Sequence, residues 1–185
     1  MKTVVLLSGG MNSVTLVKHL RKVGREVLAL SARFGDSNRV AIDYAEHFCL
    51  RDKVELREIQ LRDIYEVTGG TPEPSRMFPI ITLLDSAVDL AVSEGCSSVA
   101  YGSSISRKKL NPVLLHTLED AIQIATDGRI TVESPYKQIE KSDVFNIAMR
   151  GEVSVDLDAT WNCDGNQDLP CGECPGCKEF DAVTY

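Results

Sequence analysis

Four cysteines near the end of the chain, Cys163, Cys171, Cys174 and Cys177, follow the spacing C-x7-C-x2-C-x2-C in a segment rich in Gly, Asp, Asn and Pro. Such a segment has too little apolar content to hold one conformation by burial. Four thiolates around a metal ion supply the missing constraint. A closed four-thiolate zinc site is structural, so the expectation is zinc without a redox or hydrolytic task. An iron–sulfur cluster is the rival, because consecutive C-x2-C spacings also hold such clusters. Two disulfides are a third reading. The opening residues lack a signal-peptide pattern, which favours reduced thiols and a cytoplasmic setting.

The second group able to do chemistry is Leu7-Ser8-Gly9-Gly10-Met11-Asn12-Ser13, which follows the apolar run Val4-Val5-Leu6. Two glycines let the backbone turn sharply and bring its N–H groups close to an anion. Ser8 and Ser13 add hydroxyl donors, and a helix beginning near Asn12 aims its positive dipole end at the same place. These features describe a phosphate cradle. An ordinary glycine turn between strand and helix uses the same residue types, so the remaining chain must decide between them. Candidate cations are Arg76, where a turn-rich stretch meets a helix pattern, and the triplet Arg107-Lys108-Lys109.

The elements that position these groups are legible from periodicity. Residues 3–7, 26–34, 53–61, 97–102 and 129–132 read as strands, the third nearer an edge because charges alternate with Val54, Leu56 and Ile59. Helical spacing runs through Val14, Val17, Leu20 and Val23, through Val40 to Phe48, and through residues 77–94, 112–127 and 140–150. Five strands alternating with helices predict a parallel α/β sheet covered on both faces. Their spatial order is not readable from the pattern. Residues 62–76 hold Gly69-Gly70-Thr71-Pro72-Glu73-Pro74 and read as a long surface loop. Cys49 and Cys96 read as small buried apolar residues, and His116 as a histidine without a catalytic partner.

At 185 residues, with 43% hydrophobic and 25% charged content, the chain suits one packed domain with a small appendage: 1–158 for the α/β part and 159–185 for the cysteine tail. A net charge of −7 argues against a broad nucleic-acid or anionic-membrane surface. No apolar run has transmembrane length. A small anionic ligand needs only a few local donors.

Together these residues resemble a known family. Ser8-Gly9-Gly10-Met11-Asn12-Ser13 is similar to the PP-loop, S-G-G-x-D-S, of ATP pyrophosphatases, which adenylate their substrates on a five-stranded parallel α/β fold. Thr160-Trp161-Asn162-Cys163, followed by Cys171-Gly172-Glu173-Cys174-Pro175-Gly176-Cys177, is similar to the zinc-binding tail of 7-cyano-7-deazaguanine synthases. Ser31-Ala32-Arg33-Phe34-Gly35, Pro74-Ser75-Arg76, Ser134-Pro135 and Lys141 match intermediate stretches in outline. The resemblance implies conversion of 7-carboxy-7-deazaguanine and ammonia to the nitrile through an adenylated carboxylate, with ATP and magnesium as substrate and zinc as a structural ion. It implies ATP binding by Leu7, Ser8, Gly9, Gly10, Met11, Asn12, Ser13, Arg33 and Phe34, with Lys141, Arg76 and Arg107 as catalytic cations. It also implies a homodimer without direct nucleic-acid contact.

The sequence departs from the family at definite points. Asn12 stands where the PP-loop has aspartate, keeping a helix-capping oxygen but no charge. Met77 follows Arg76 where the family has asparagine, and residues 103–109 carry serines and cations in place of asparagine and acidic residues. Two further readings therefore stand beside the first: adenylation of a different carboxylate or acceptor, and nucleotide binding without catalysis.

Overall fold

The computed structural model describes residues 1–61, 77–104, 112–149 and 153–184, with 77–79 and 112 described by backbone alone. Strands β1 (Lys2–Leu6), β2 (Glu26–Arg33), β3 (Glu55–Gln60), β4 (Ser98–Tyr101) and β5 (Thr131–Glu133) form one sheet of order β3-β2-β1-β4-β5. Every neighbouring pair is parallel. The helices are α1 (Met11–Lys22), α2 (Arg39–Asp52), α3 (Met77–Ser93), α4 (Pro112–Ala125), α5 (Lys141–Met149) and α6 (Pro175–Thr184). The expected five-stranded parallel α/β architecture is present.

Successive residues of a strand point to opposite faces, and both faces here are apolar. Val5 and Ala29 face a core filled by Val14 and Val17 of α1, Ala45 and Phe48 of α2, and Val144 and Ala148 of α5. Val4, Leu6, Leu28 and Leu30 face the opposite core, filled by Leu84, Ala87 and Ala91 of α3 and Leu115 of α4. Burial on both sides explains why β1 reads as an unbroken apolar run. β3, by contrast, is the sheet edge, and its exposed Glu55, Arg57 and Glu58 discourage another strand from pairing there.

The strand order reverses between β1 and β4, since β2 and β3 lie on one side of β1 while β4 and β5 lie on the other. Loops leaving the carboxyl ends of β1 and β4 are therefore directed to opposite faces, and a crevice opens between them. The glycine loop follows β1 at this point.

One element was not expected. Residues 175–184 form α6, although the tail carries little apolar material. Pro175 occupies the first helical position, where its missing N–H costs nothing, and Phe180 packs against the core that contains Tyr136 and Val144. The two free cysteines outside the tail are buried, Cys49 so thoroughly that its thiol is pushed up to about 12. His116 is exposed on α4 near Asp120 and Glu119. Among the described residues, no helix is long and apolar enough to cross a membrane.

Truncating Leu28, which has no exposed surface on the central β2, to alanine is expected to cost ~2–5 kcal/mol in urea unfolding. Leu50→Ala, at a side chain 77% exposed, should stay within about 0.5 kcal/mol of the parent.

Candidate active site

The glycine loop is held at both of its ends. Leu7 extends β1 by one residue, its N–H donating to Leu30 O at 2.9 Å and its carbonyl accepting from Ser31 Oγ at 2.6 Å. Ser13 Oγ donates to Gly10 O at 2.9 Å and accepts from Ser8 N–H at 3.2 Å, closing the loop on itself. Gly9 sits at φ +77°, and a Cβ there would lie 2.0 Å from Ala41 O in the first turn of α2. Only glycine satisfies both the conformation and the approach. Helix α1 then begins, with Gly10 as an N-cap that has no side chain to offer. The N–H groups of Asn12 and Ser13 have no acceptor among the described residues. Together with the Ser8 and Ser13 hydroxyls they present donors at a helix N-terminus, the arrangement that suits a phosphate.

The segment leaving β4 closes against this loop. A Cβ on Gly102 would lie 2.9 Å from Asn12 O, so the two backbones meet only because residue 102 is glycine. Asn12 Nδ2 donates to Ser104 Oγ at 3.2 Å. Asn12 is the second residue of α1 and does not cap it, contrary to the sequence expectation. Its amide bridges the loops of β1 and β4 across the crevice, a neutral contact between neutral groups.

The missing cap comes from the C-terminal tail. Asn162 Oδ1 accepts from Met11 N–H at 3.2 Å, and Trp161 N–H donates to Gly9 O at 2.9 Å. Asn162 Nδ2 donates in turn to Thr160 Oγ1 at 3.0 Å, which fixes the direction of the amide. Helix α2 is treated alike. The side chain of its N-cap Asn38 bonds to Phe34 N–H and Ala32 O, and Asn166 Oδ1 accepts from Val40 N–H at 3.0 Å. Trp161 packs against Tyr44, ring centroids 5.5 Å apart, and its indole N–H donates to Gly165 O. An N-cap of this type stabilises a helix by ~1 kcal/mol.

The four tail cysteines converge. Cys163 Sγ lies 3.6 Å from Cys171 Sγ and 3.8 Å from Cys174 Sγ, and Cys171 Sγ lies 4.0 Å from Cys177 Sγ. All four sulfurs fall within 4.8 Å of one another. Sulfurs at the corners of a tetrahedron with ~2.3 Å metal–sulfur bonds stand roughly 3.8 Å apart. The separations therefore fit one ion, and they exceed the ~2.05 Å of a disulfide bond. Backbone N–H groups point at the sulfurs: Gly165 to Cys163, Cys174 to Cys171, and both Asp164 and Cys177 to Cys174, at 3.2–3.3 Å. Donors of this kind, from Glu173 and then Cys174, lower the Cys171 thiol to about 6, whereas burial pushes Cys177 up to about 12. By donor type, spacing and support, the quartet can hold a metal ion.

The other candidate residues are distributed unevenly. Lys141 is the first residue of α5 and is buried, its Nζ 3.6 Å from Glu179 Oε2 of α6. Arg33 ends β2 with its guanidinium facing Glu58 at 3.1 Å, Glu46 at 3.0 Å and Asp43 at 4.0 Å. It joins β2, β3 and α2 and its nitrogens face carboxylates. Phe34 follows it, half-buried, its N–H donating to Asn38. Arg76 and Arg107 lie outside the described residues. The roles of Asn162 and Asn166 as caps, and of Glu179 beside Lys141, were missed. Nothing in the local pattern signals them, because each acts on residues more than thirty positions away.

The model of the family described as "Queuosine biosynthesis protein QueC" matches residues 2–72 and 78–182. The chain belongs to the QueC family. Its similarity to curated relatives runs almost from end to end. It is 28% identical over 200 residues to the 7-cyano-7-deazaguanine synthase of Pseudoalteromonas atlantica, covering 96% of this chain and 91% of that protein. It is 27% identical over 202 residues to the synthase of Archaeoglobus fulgidus, covering 97% and 84%. Among solved structures, the U34-tRNA thiolase NcsA from Methanococcus maripaludis, determined with its [4Fe-4S] cluster, superposes with a TM-score of 0.63 at 16% identity over all of this chain and 65% of that one. The NH3-dependent NAD synthetase from Campylobacter jejuni gives 0.59 at 17% identity, covering 84% and 66%. These two likenesses carry the fold. The QueC relatives, named as synthases, carry the enzyme class, a ligase forming carbon–nitrogen bonds.

Two glycine variants separate conformation from contact. Gly9→Ala, with φ positive and a backbone carbonyl in the way, is expected to lose roughly 2–4 kcal/mol. Gly24→Ala, at φ +81° but in open space, should lose only about 1 kcal/mol, both read by thermal unfolding.

Proposed function

We propose that this QueC-family chain uses ATP to convert 7-carboxy-7-deazaguanine and ammonia to 7-cyano-7-deazaguanine. The observation that carries the ATP site is the placement of the glycine loop at the strand-order reversal, its helix N–H donors directed into the crevice beside β4. The nucleotide's α-phosphate region lies against Ser8, Gly9, Gly10, Asn12 and Ser13. The substrate carboxylate oxygen attacks the α-phosphorus, pyrophosphate leaves, and an acyl-adenylate forms. Ammonia then attacks the acyl carbon, releasing AMP and a proton and leaving the amide. A second ATP activates the amide oxygen, pyrophosphate leaves, and loss of AMP with the nitrogen-bound protons gives the nitrile.

The chain contributes orientation and charge stabilisation: N–H groups, hydroxyls and cations are set where negative charge develops. Lys141, held against Glu179, is the described cation of this set, with Arg76 and Arg107 proposed beside it. Magnesium arrives with the ATP, held by phosphate oxygens and water, since no carboxylate belongs to the loop of residues 7–13. The proposed resident ion is zinc, held by Cys163, Cys171, Cys174 and Cys177. It supplies a structural crosslink to segment 159–185. A single ion accounts for four sulfurs all within 4.8 Å of one another, whereas a multi-iron cluster would hold its cysteines farther from one another.

The Asn12–Ser104 contact favours one alternative, adenylation of a different carboxylate, because it puts neutral groups on the crevice, and the sequence that follows carries Arg107, Lys108 and Lys109. Pyrophosphate release separates the readings. With ATP, ammonia and 7-carboxy-7-deazaguanine, the protein should release pyrophosphate and give the nitrile by mass spectrometry. Release with another carboxylate alone would transfer the reading to that acid; ATP binding without release for any acid would overturn both. Elemental analysis of protein isolated without added metal should find one zinc per chain, and iron with visible absorbance would contradict zinc. Removal of the ion by a chelator should lower the melting temperature and expose the tail to protease.

A further inference from the structure

The tail has no apolar core of its own, yet it hydrogen-bonds the loop through both backbone and side chain. Trp161 N–H meets Gly9 O at 2.9 Å and Asn162 Oδ1 meets Met11 N–H at 3.2 Å, both on the side of the loop that faces the tail. Gly10 lies between them, and a Cβ there would stand 3.3 Å from Trp161 O and 3.8 Å from Asn162 Oδ1. The next residue, Cys163, belongs to the sulfur quartet that can hold an ion. Behind Asn162, a Cβ on Gly176 would collide with Asn162 O and come within 3.2 Å of Asp164 Oδ1, so the start of α6 is pressed onto Asn162 and Asp164. Gly176 N–H also donates to Asp164 Oδ2 at 3.0 Å. On the far side of the quartet, Glu179 follows Cys177 by two residues and reaches Lys141.

We infer that Asn162 is a positioning residue for nucleotide binding: from the backbone beside metal ligand Cys163 it takes the first N–H of α1, Met11, and so sets the direction of the loop's remaining donors. This rests on the proposed ATP site. Two observations distinguish support from competition with a phosphate. The Asn162 amide is already oriented by Thr160, whose own hydroxyl donates to Leu157 O at 2.8 Å, so its direction does not depend on a ligand. The N–H groups of Asn12 and Ser13 are left over after Asn162 has taken Met11. Gly10 cannot substitute for it, having no side-chain oxygen. The metal site thereby couples to nucleotide affinity: four sulfurs fix Cys163, Cys163 fixes Asn162, and Asn162 fixes the start of α1.

Asn162→Ala and Asn162→Asp test this, with metal content, amide hydrogen exchange at Met11 and ATP affinity measured for each full-length protein. Asn162→Ala should retain its metal, lose protection at Met11 and bind ATP about fivefold more weakly, the effect of one lost cap. Asn162→Asp keeps an acceptor and should restore protection at Met11, although its added charge opposes the polyphosphate. Unchanged Met11 exchange in Asn162→Ala would overturn the inference, and so would tighter ATP binding, which would make Asn162 an occupant of the phosphate position. Should Asn162→Ala fail to fold, the unmodified protein serves. Mild chelation should then raise exchange at Met11 before it raises exchange in β1, and simultaneous loss would overturn the inference. Absence of ATP binding by the unmodified protein would defeat the proposed ATP site while leaving the exchange result to judge Asn162.

Discussion

The hydrogen bond from Trp161 N–H to Gly9 O, with Asn162 Oδ1 on Met11 N–H beside it, joins the two parts of this protein that the sequence keeps furthest apart. Neither part is self-sufficient. Helix α1 starts at a glycine and has no capping oxygen of its own, and the tail has too few apolar side chains to fold alone. Each supplies what the other lacks: the tail gives α1 and α2 their capping oxygens through Asn162 and Asn166, and α2 gives the tail Val40, Ala41 and Tyr44 to pack Trp161, Cys163 and Cys177 against. An ion held by the sulfur quartet would make this exchange durable, fixing four points of a segment that burial alone would leave ordered only weakly.

The sheet sets the stage for that junction by its order rather than by its strands individually. Reversal between β1 and β4 brings the loop after Leu6 beside the segment after Tyr101, and Gly102 and Gly9 let backbone approach backbone where a Cβ would collide. Ion pairs hold the surroundings. Arg25 meets Glu133 at 2.7 Å from the start of β2 to β5, and Arg33 joins β2 to β3 and α2. These are partly exposed contacts, each worth little by itself; the two apolar cores carry the stability.

Local pattern made much of this legible. The inner strands β1, β2 and β4 are buried on both faces and read as unbroken runs, the edge strand β3 alternates charged with apolar residues, and the helices carry a stripe of 3.6-residue period, so these patterns mark the elements within a few positions. The Gly9-Gly10 pair and the cysteine spacing identified the two chemical centres for the same reason: backbone geometry and metal coordination restrict residue type at fixed intervals. The strand order was not readable, since it depends on which strands pair. Helix α6 is hidden because its large apolar side chains, Phe180 and Val183, make only a faint stripe. The capping oxygen expected from Asn12 comes instead from Asn162, and the ion pairs of Arg33 with Glu46 and Glu58 are not signalled by the local pattern. Caps from a distant segment and ion pairs between neighbouring strands leave no periodic trace. Asparagine in a Gly- and Asp-rich tail looks the same whether it faces solvent or a helix terminus.

The most direct measurement is a structure of the metal-loaded protein with a non-hydrolysable ATP analogue. The phosphates should lie at the start of α1, bonded to the N–H groups of Asn12 and Ser13 and to the Ser8 hydroxyl, with Asn162 Oδ1 still on Met11 N–H and all four cysteines on one ion. Phosphates placed away from the crevice between β1 and β4, or seated on Met11 N–H with Asn162 displaced, would contradict it.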